Sequence, residues 1–465
     1  MSLPWVSVAP GSPYFVLEDG RTWTPIGQND AIEWPELHGL FRRRNPAPAR
    51  EYFALLAASG VTVLRLMLEY CHHEHRYFER PAGHFQPSMV RLWDDLFALC
   101  EEFHLRILLT PFDTFWMWRR WKRHPYNAAN SGPCARVETF FLDPAARERV
   151  KARLDFATER WGASGALFAW DLWNELHPAY GEDSIDHATA FVTDISAHLR
   201  QTELRLFGRA HPQTVSTFLP LAQQRPRLAE AIYGHPTLDF SSTHFYEEGT
   251  IDDPRDTIQP AVGTGALVRQ ALAQAPAHRP FFDSEHGPIH RFKDHRRTLR
   301  EAFDDEYFRH MQWAHFASGA AGGGMRWPNR SPHSLTRGMR TAQRSLADFL
   351  PFIDWTRFQR QNWNEELQVV NGADCALFGS GDDGQAVLWI LRRGPLRRGM
   401  LNPDAKPVTV EVRLPWCGAS VTAHCWDTTQ SAIPPASAEI RQDATGTVLV
   451  TPPFAAGLAI ALKRE

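Results

Sequence analysis

From about residue 20 to about residue 350, short apolar runs alternate with longer amphipathic stretches. The runs are TWTPIGQN (22–29), VTVLRLML (61–68), LRILLTPF (105–112), LFAWDLWNE (167–175), QTVSTF (213–218), LDFSSTHFY (238–246), PFFDSEHG (280–287) and GGGMRWPN (322–329). Runs this short, rich in β-branched and aromatic residues, read as buried strands. Between most of them apolar residues recur at helical spacing, as in PAARERVKARLDFATERW (144–161) and HATAFVTDISAHLRQTELRLF (187–207). Asp143 suits the N-cap of the first of these helices and Pro144 its first position. Eight strands alternating with helices predict an α/β fold, a (β/α)8 TIM barrel. A doubly wound open sheet fits less well, because no GxGxxG turn follows the first strand.

After Phe352 the helical period fades. Short alternating strands follow, VTVEVRL (408–414), SVTAHCWD (420–427), TVLVTPP (447–453) and GLAIALK (457–463), parted by Gly, Pro and Asp turns. They predict a C-terminal all-β sandwich. The expected domains are a barrel with a short N-terminal extension over 1–352 and a β-sandwich over 353–465. With 465 residues, the chain exceeds one ordinary core, which agrees with two.

Composition narrows the function by exclusion. A formal net charge of −3 gives no reason to expect nucleic acid or an anionic membrane as partner. No apolar stretch is long enough to span a bilayer. The opening MSLPWVSVAPGSPYF has no basic segment followed by an apolar one, so it does not read as a signal peptide. Cys71, Cys100, Cys134, Cys375, Cys417 and Cys425 form no CxxC pair and read as mostly reduced thiols. Both features point to the cytoplasm, and the expected state is a monomer or a weak homo-oligomer. The 17 tryptophans are the unusual count, and any excess in loops would suit stacking on flat apolar faces such as sugar rings.

The chemistry lies where the runs end. The stretch AWDLWNELHP (169–178) closes an apolar strand with Asn174 and Glu175, although buried strands avoid ionisable groups unless these are paired or used. In a (β/α)8 barrel the active site sits at the C-terminal strand ends. Those ends carry Arg65, Asp113, Asn174, Glu175, His244, Tyr246, Glu285 and Trp327. Two carboxylates facing across a cleft suit glycoside cleavage, one protonating the leaving oxygen and the other attacking or activating water.

The order of these residues resembles that of clan A glycoside hydrolases, most specifically glycoside hydrolase family 5. The resemblance covers 20–350 and rests on Arg65, Asn174-Glu175, His244-Phe245-Tyr246, Glu285 in DSEHG, and Trp327. It implies that Glu175 is the acid/base and Glu285 the nucleophile of a retaining enzyme. The family usually ends its third strand in histidine, whereas this chain has Phe112 and Asp113 there; either His124 reaches back from the next loop or Asp113 substitutes.

The residues fit those roles on chemical grounds. Arg65 and the Tyr246 hydroxyl favour an ionised Glu285. Apolar surroundings and the Glu285 charge raise the pKa of Glu175. Asn174 suits the sugar 2-hydroxyl, and Trp327, after Gly322–Gly324, suits a sugar floor against the alternative of core packing. The carboxyl groups of a retaining pair stand roughly 5 Å apart.

Three further stretches carry candidate chemistry. CHHEH (71–75) holds metal-ligand types, but adjacent loop residues rarely converge on one ion; a polar wall of the cleft is favoured over a metal site. In the long insertion WMWRRWKRHPYNAANSGPC (116–134), Trp116, Trp118 or Trp121 is expected to line the cleft and stack on sugars, the alternative being a basic surface loop held together by its own rings. Its closing HPYNAANSGP is similar to loops of mannan-degrading family 5 members. Glu33 and Trp34 suit a distal subsite, a core role or a surface role equally.

The sequence thus predicts a retaining glycoside hydrolase acting on a β-linked polysaccharide or oligosaccharide of mannan or glucan type, with no metal and no organic cofactor. A non-catalytic carbohydrate-binding barrel and an exo-acting β-glycosidase on small glycosides are the alternatives.

Overall fold

The computed structural model describes residues 3–30, 37, 40, 45–69, 77–289, 299–327, 335–417, 420–430, 436–444 and 446–465. The CHHEH stretch and Glu33 and Trp34 lie outside the described residues.

Parallel strands form the centre. Gly27–Asp30, Val63–Met67, Arg106–Thr110, Leu167–Asp171 and Gln213–Thr214 pair in that order. Ser216–Phe218, one residue further on, pairs with Ser241–Phe245, which pairs with Phe281–His286. Arg326 bridges in parallel to both Gln28 and His286, so pairing runs from the last of these strands back to the first. Between strands lie helices such as Pro144–Trp161, whose Asp143 side chain accepts from the Ala145 and Ala146 N–H groups at 2.9 and 3.1 Å. The second predicted helix runs over Ile185–Phe207, starting two residues before the expected position and capped by Ser184.

The predicted runs at the chain's start and at the eighth position are shorter in the structure. Of TWTPIGQN, only Gly27 onward joins the parallel set. Thr22–Trp23 instead closes an antiparallel sheet with Val6–Val8 and Phe15–Leu17. Phe15 of that sheet packs edge-on against Phe168, Phe240 and Phe282, at ring distances of 5.1, 5.6 and 6.4 Å. These three rings stand near the starts of their strands, so the N-terminal sheet seals the end opposite the polar residues.

After Phe352 two larger antiparallel sheets appear, besides a short pairing of Leu396–Arg397 with Met400–Leu401. One has six strands, with Cys375–Gly381, Gln385–Arg392, Gly457–Arg464 and Val421–Asp427 adjacent; the other has four, with Gln368–Gly372, Val410–Arg413, Gly446–Val450 and Glu439–Asp443 in order. The strand Gln385–Arg392 was not foreseen, because its run AVLWILR is apolar without alternation. The reason is burial on both faces. Val387, Trp389 and Leu391 join a core containing Trp313, Phe316 and Phe349 of the preceding helices, while Leu388 and Ile390 join a core with Val410, Val412 and Leu449 of the other sheet. The Trp426 indole donates to Ser345 Oγ at 2.8 Å, a polar tie across the same seam.

Candidate active site

The polar residues at the strand ends converge on Arg65. This guanidinium is fully buried and donates to Glu285 Oε2 and Asp171 Oδ2 at 2.7 Å each, to Asn29 Oδ1 at 2.9 Å and to Asn174 Oδ1 at 2.5 Å. A planar donor fork fixes several oxygens at once, which lysine could not do. Glu285 is held from its other side by the Tyr246 hydroxyl, which donates to Oε1 at 2.7 Å. Asn174 in turn donates to Asp113 Oδ1 at 2.6 Å.

Glu175 faces this group. Its Oε1 lies 2.9 Å from His244 Nδ1, and the same nitrogen is 3.8 Å from Glu285 Oε2. Glu175, His244 and Glu285 each place one such atom within 4.8 Å of the others. The backbone of Glu175 takes a left-handed conformation, φ +53°. This is uncommon for a residue with a side chain, and such outliers cluster at functional sites. Its N–H donates to Ser216 Oγ at 3.1 Å, so the turn is tied to the neighbouring strand.

Burial and the Glu285 charge hold the Glu175 carboxyl well above the usual carboxylate range. Burial raises Glu285 as well, but Arg65 and the Tyr246 hydroxyl oppose the rise. These partners favour the ionised form on Glu285 and the protonated form on Glu175. Burial and Arg65 keep His244 neutral, well below its ordinary pKa. Its Nε2 lies 3.1 Å from Ser284 Oγ, which is 2.6 Å from Ser242 Oγ. A neutral imidazole between a carboxyl and two hydroxyls can accept from a protonated Glu175 or, in its other tautomer, donate to an ionised one.

Asp113 serves neighbours rather than open space. It caps the helix Thr114–Arg120 by accepting from the Phe115 and Trp116 N–H groups, both at 3.1 Å. Burial pushes its carboxyl up to about 6. Asp113 and His124 line the same small cavity together with Glu69, Tyr77 and Trp116, so both candidates for the absent histidine stand there. His124 is buried, and that burial pushes it down to about 3.

The three loop tryptophans take up different positions. Trp116 is only 5% exposed and packs in the core around the parallel strands, and Trp121 stacks on His124 at 5.7 Å. Trp118 alone of the three is open, at 73%. The loop's length is thus partly taken up by its own packing, with Asn130 Nδ2 donating to the Lys122 and His124 carbonyls. Trp327 is half-buried against the same core, and its N–H donates to the His286 carbonyl at 2.9 Å.

Sequence reasoning missed Asn29, Asp171 and Ser284. Asp171 lies in the run that drew attention to Glu175, and a buried strand aspartate carries the same signal. A second cluster, Asp283, His286 and His315, also has metal-ligand types, as do Glu175, His244 and Glu285. In both, hydrogen bonds within the cluster already occupy donor atoms, and Arg65 and Arg326 add positive charge alongside. Neither donor set fits a cation well.

No family model matches the sequence, and no curated protein matches it. Solved structures match in fold. A glycoside hydrolase superposes with a TM-score of 0.62 at 13% identity, over 99% of this chain and 97% of the other. A glycoside hydrolase family 5 structure from Bacteroides vulgatus gives 0.60 at 12% identity, over 100% of this chain and 95% of its own. A family 5 mannosidase from Rhizomucor miehei gives 0.53 at 14% identity, over 70% of this chain and 86% of its own. At these identities the likeness is one of fold: this chain shares the fold of glycoside hydrolase family 5 structures.

Proposed function

We propose that this protein is a retaining glycoside hydrolase acting on β-linked polysaccharides or oligosaccharides of mannan or glucan type. The observation that carries the reading is the carboxyl pair: Glu175 and Glu285 approach within 4.8 Å, each with partners suited to a different task. Retaining pairs stand about 5–5.5 Å apart, whereas inverting pairs need about 6.5–9.5 Å for an intervening water. Glu285, held by Arg65 and Tyr246, attacks the anomeric carbon. Glu175, protonated, donates its proton to the leaving oxygen. Once Glu285 is esterified its charge is gone, the pKa of Glu175 falls, and Glu175 takes the proton of the incoming water. Asn174 lies beside Arg65 to meet the sugar 2-hydroxyl, and Trp327 floors the reacting ring. Asp113 and His124 shape the wall where the family has a histidine.

The rest of the molecule fits the same reading. The parallel pairings, joined through Arg326, support a closed (β/α)8 barrel over 1–352. The six- and four-stranded antiparallel sheets within 353–465 share one core, which supports a sandwich braced on the barrel. The mannosidase among the fold neighbours favours a mannose-type sugar. The test is an activity screen on aryl β-glycosides, β-mannan and β-glucan, with the first-formed anomer followed by NMR. Release of the β-anomer first supports the proposal; release of the α-anomer first, or no turnover of any, refutes it.

A further inference from the structure

The strand that carries Glu285 breaks its own alternation. Side chains on a strand point to opposite faces in turn, so residues two apart share a face. Phe281 packs outward with Tyr233 and Phe245, and Phe282 packs inward against Phe240. Asp283 points outward, to His315 on the helix Glu301–Ala317. Ser284 points inward, to Ser242 and His244. Glu285 should then point outward beside Asp283. It points inward, to Arg65 and Tyr246.

The register supplies the cause. Thr243 pairs with Asp283 but His244 pairs with Glu285, so Ser284 is an extra residue on its strand. The partner strand keeps its period, with Ser242, His244 and Tyr246 all facing in. A bulge of this kind re-aims one side chain and leaves ladder groups without their usual partners. Here the Asp283 carboxylate takes up two of them: its Oδ1 accepts from the Glu285 N–H at 3.1 Å and from the Phe245 N–H at 3.3 Å. Its Oδ2 is 2.9 Å from His315 Nε2, and His315 Nδ1 donates to the Met311 carbonyl at 2.7 Å. That link holds whether the proton between Asp283 and His315 sits on the ring or on the acid. All of these groups are buried.

We propose that Asp283, anchored by His315, is a positioning residue that holds the Ser284 bulge and thereby turns Glu285 into the site. It touches no substrate; it acts through the main chain of Glu285. The expected loss of rate rests on Glu285 being the nucleophile, whereas the expected displacement of its side chain does not. Misplacing a reacting group by about 1 Å costs on the order of 10²-fold in rate.

The test uses the full chain with three variants, Asp283→Ala, Asp283→Asn and His315→Leu, each examined by crystallography and by kinetics on an aryl β-glycoside. In Asp283→Ala the Glu285 carboxylate is expected to leave Arg65 and Tyr246, with kcat lower by ~10²-fold and KM within about twofold. Asp283→Asn keeps an oxygen that accepts both N–H groups, so it should keep Glu285 in place and restore kcat to within about tenfold of the parent. A purely structural aspartate would show no such split between kcat and KM. Should Asp283→Ala not fold, His315→Leu decides, since it frees Oδ2 and leaves the two N–H bonds possible; kcat should fall about tenfold with KM unchanged. Glu285 remaining on Tyr246 and Arg65 in Asp283→Ala, or an unchanged kcat in His315→Leu if only that variant folds, would overturn the proposal. If the parent turns over no glycoside, the functional reading fails, and the crystal structures still decide the role of Asp283.

Discussion

Glu175 and Glu285 lie in the same buried space, yet their partners differ in sign. Glu285 has a guanidinium and a hydroxyl donor; Glu175 has a neutral imidazole and a negative neighbour. This asymmetry gives a direct expectation. In Glu285→Gln the like charge is removed, so the pKa of Glu175, followed by carboxyl NMR, should fall; an unchanged value would mean that burial alone sets it. The same variant should lose turnover while still binding sugar. Glu175→Ala should keep more activity on glycosides with good leaving groups, and added azide should restore its deglycosylation step. Stability follows from the same shift. The raised pKa of Glu175 means that its contribution to stability is fully present below the ordinary glutamate pKa. That contribution is lost as pH rises through the raised value. Glu175→Gln should therefore raise the melting temperature more at pH 8 than at pH 4, and equal effects at both would contradict the assignment.

At the scale of elements, what the sequence displayed depended on whether one local pattern controlled the outcome. The helix Pro144–Trp161 was legible because Asp143 and Pro144 mark its start unambiguously. Arg65, Glu175, His244 and Glu285 were legible because polar groups ending apolar strands have few other uses. The bulge at Ser284 was not, since DSEH reads equally well in either register and the deciding contact comes from His315, on a helix that follows in sequence. The tryptophan loop was half legible: its aromatic content was plain, but which ring stays outside depends on packing with His124 and the central core. It yields a split expectation. Trp118→Ala should weaken binding of long oligosaccharides by roughly tenfold, the loss of about 1.4 kcal/mol of stacking, and leave stability alone. Trp116→Ala should instead lower the melting temperature and affect all substrates alike. Isothermal titration with a chain-length series, beside thermal melts, separates the two.

For the whole molecule, the N-terminal sheet and the C-terminal sheets both bury surfaces of the central unit. Phe15 fills the end of the parallel set, and Phe15→Ala should cost about 3–5 kcal/mol in a denaturant titration. The strand Gln385–Arg392 presents Trp389 to the helices that carry Trp313 and Phe349, so its removal would leave large apolar faces bare. The full chain should then unfold in one calorimetric transition, and two separated transitions would show that the halves are stable alone. Through the same helices the C-terminal sheets support His315, and with it the strand that holds Glu285.

The central claim is that Glu285 attacks the sugar and Glu175 does not. A 2-deoxy-2-fluoro β-glycoside with a good leaving group slows the second step and traps the enzyme as an ester. Peptide mass spectrometry of the trapped protein should find the added sugar on Glu285, within the stretch PFFDSEHG. A label on Glu175, or hydrolysis of the natural substrate with no covalent adduct and inversion at the anomeric carbon, would contradict the account.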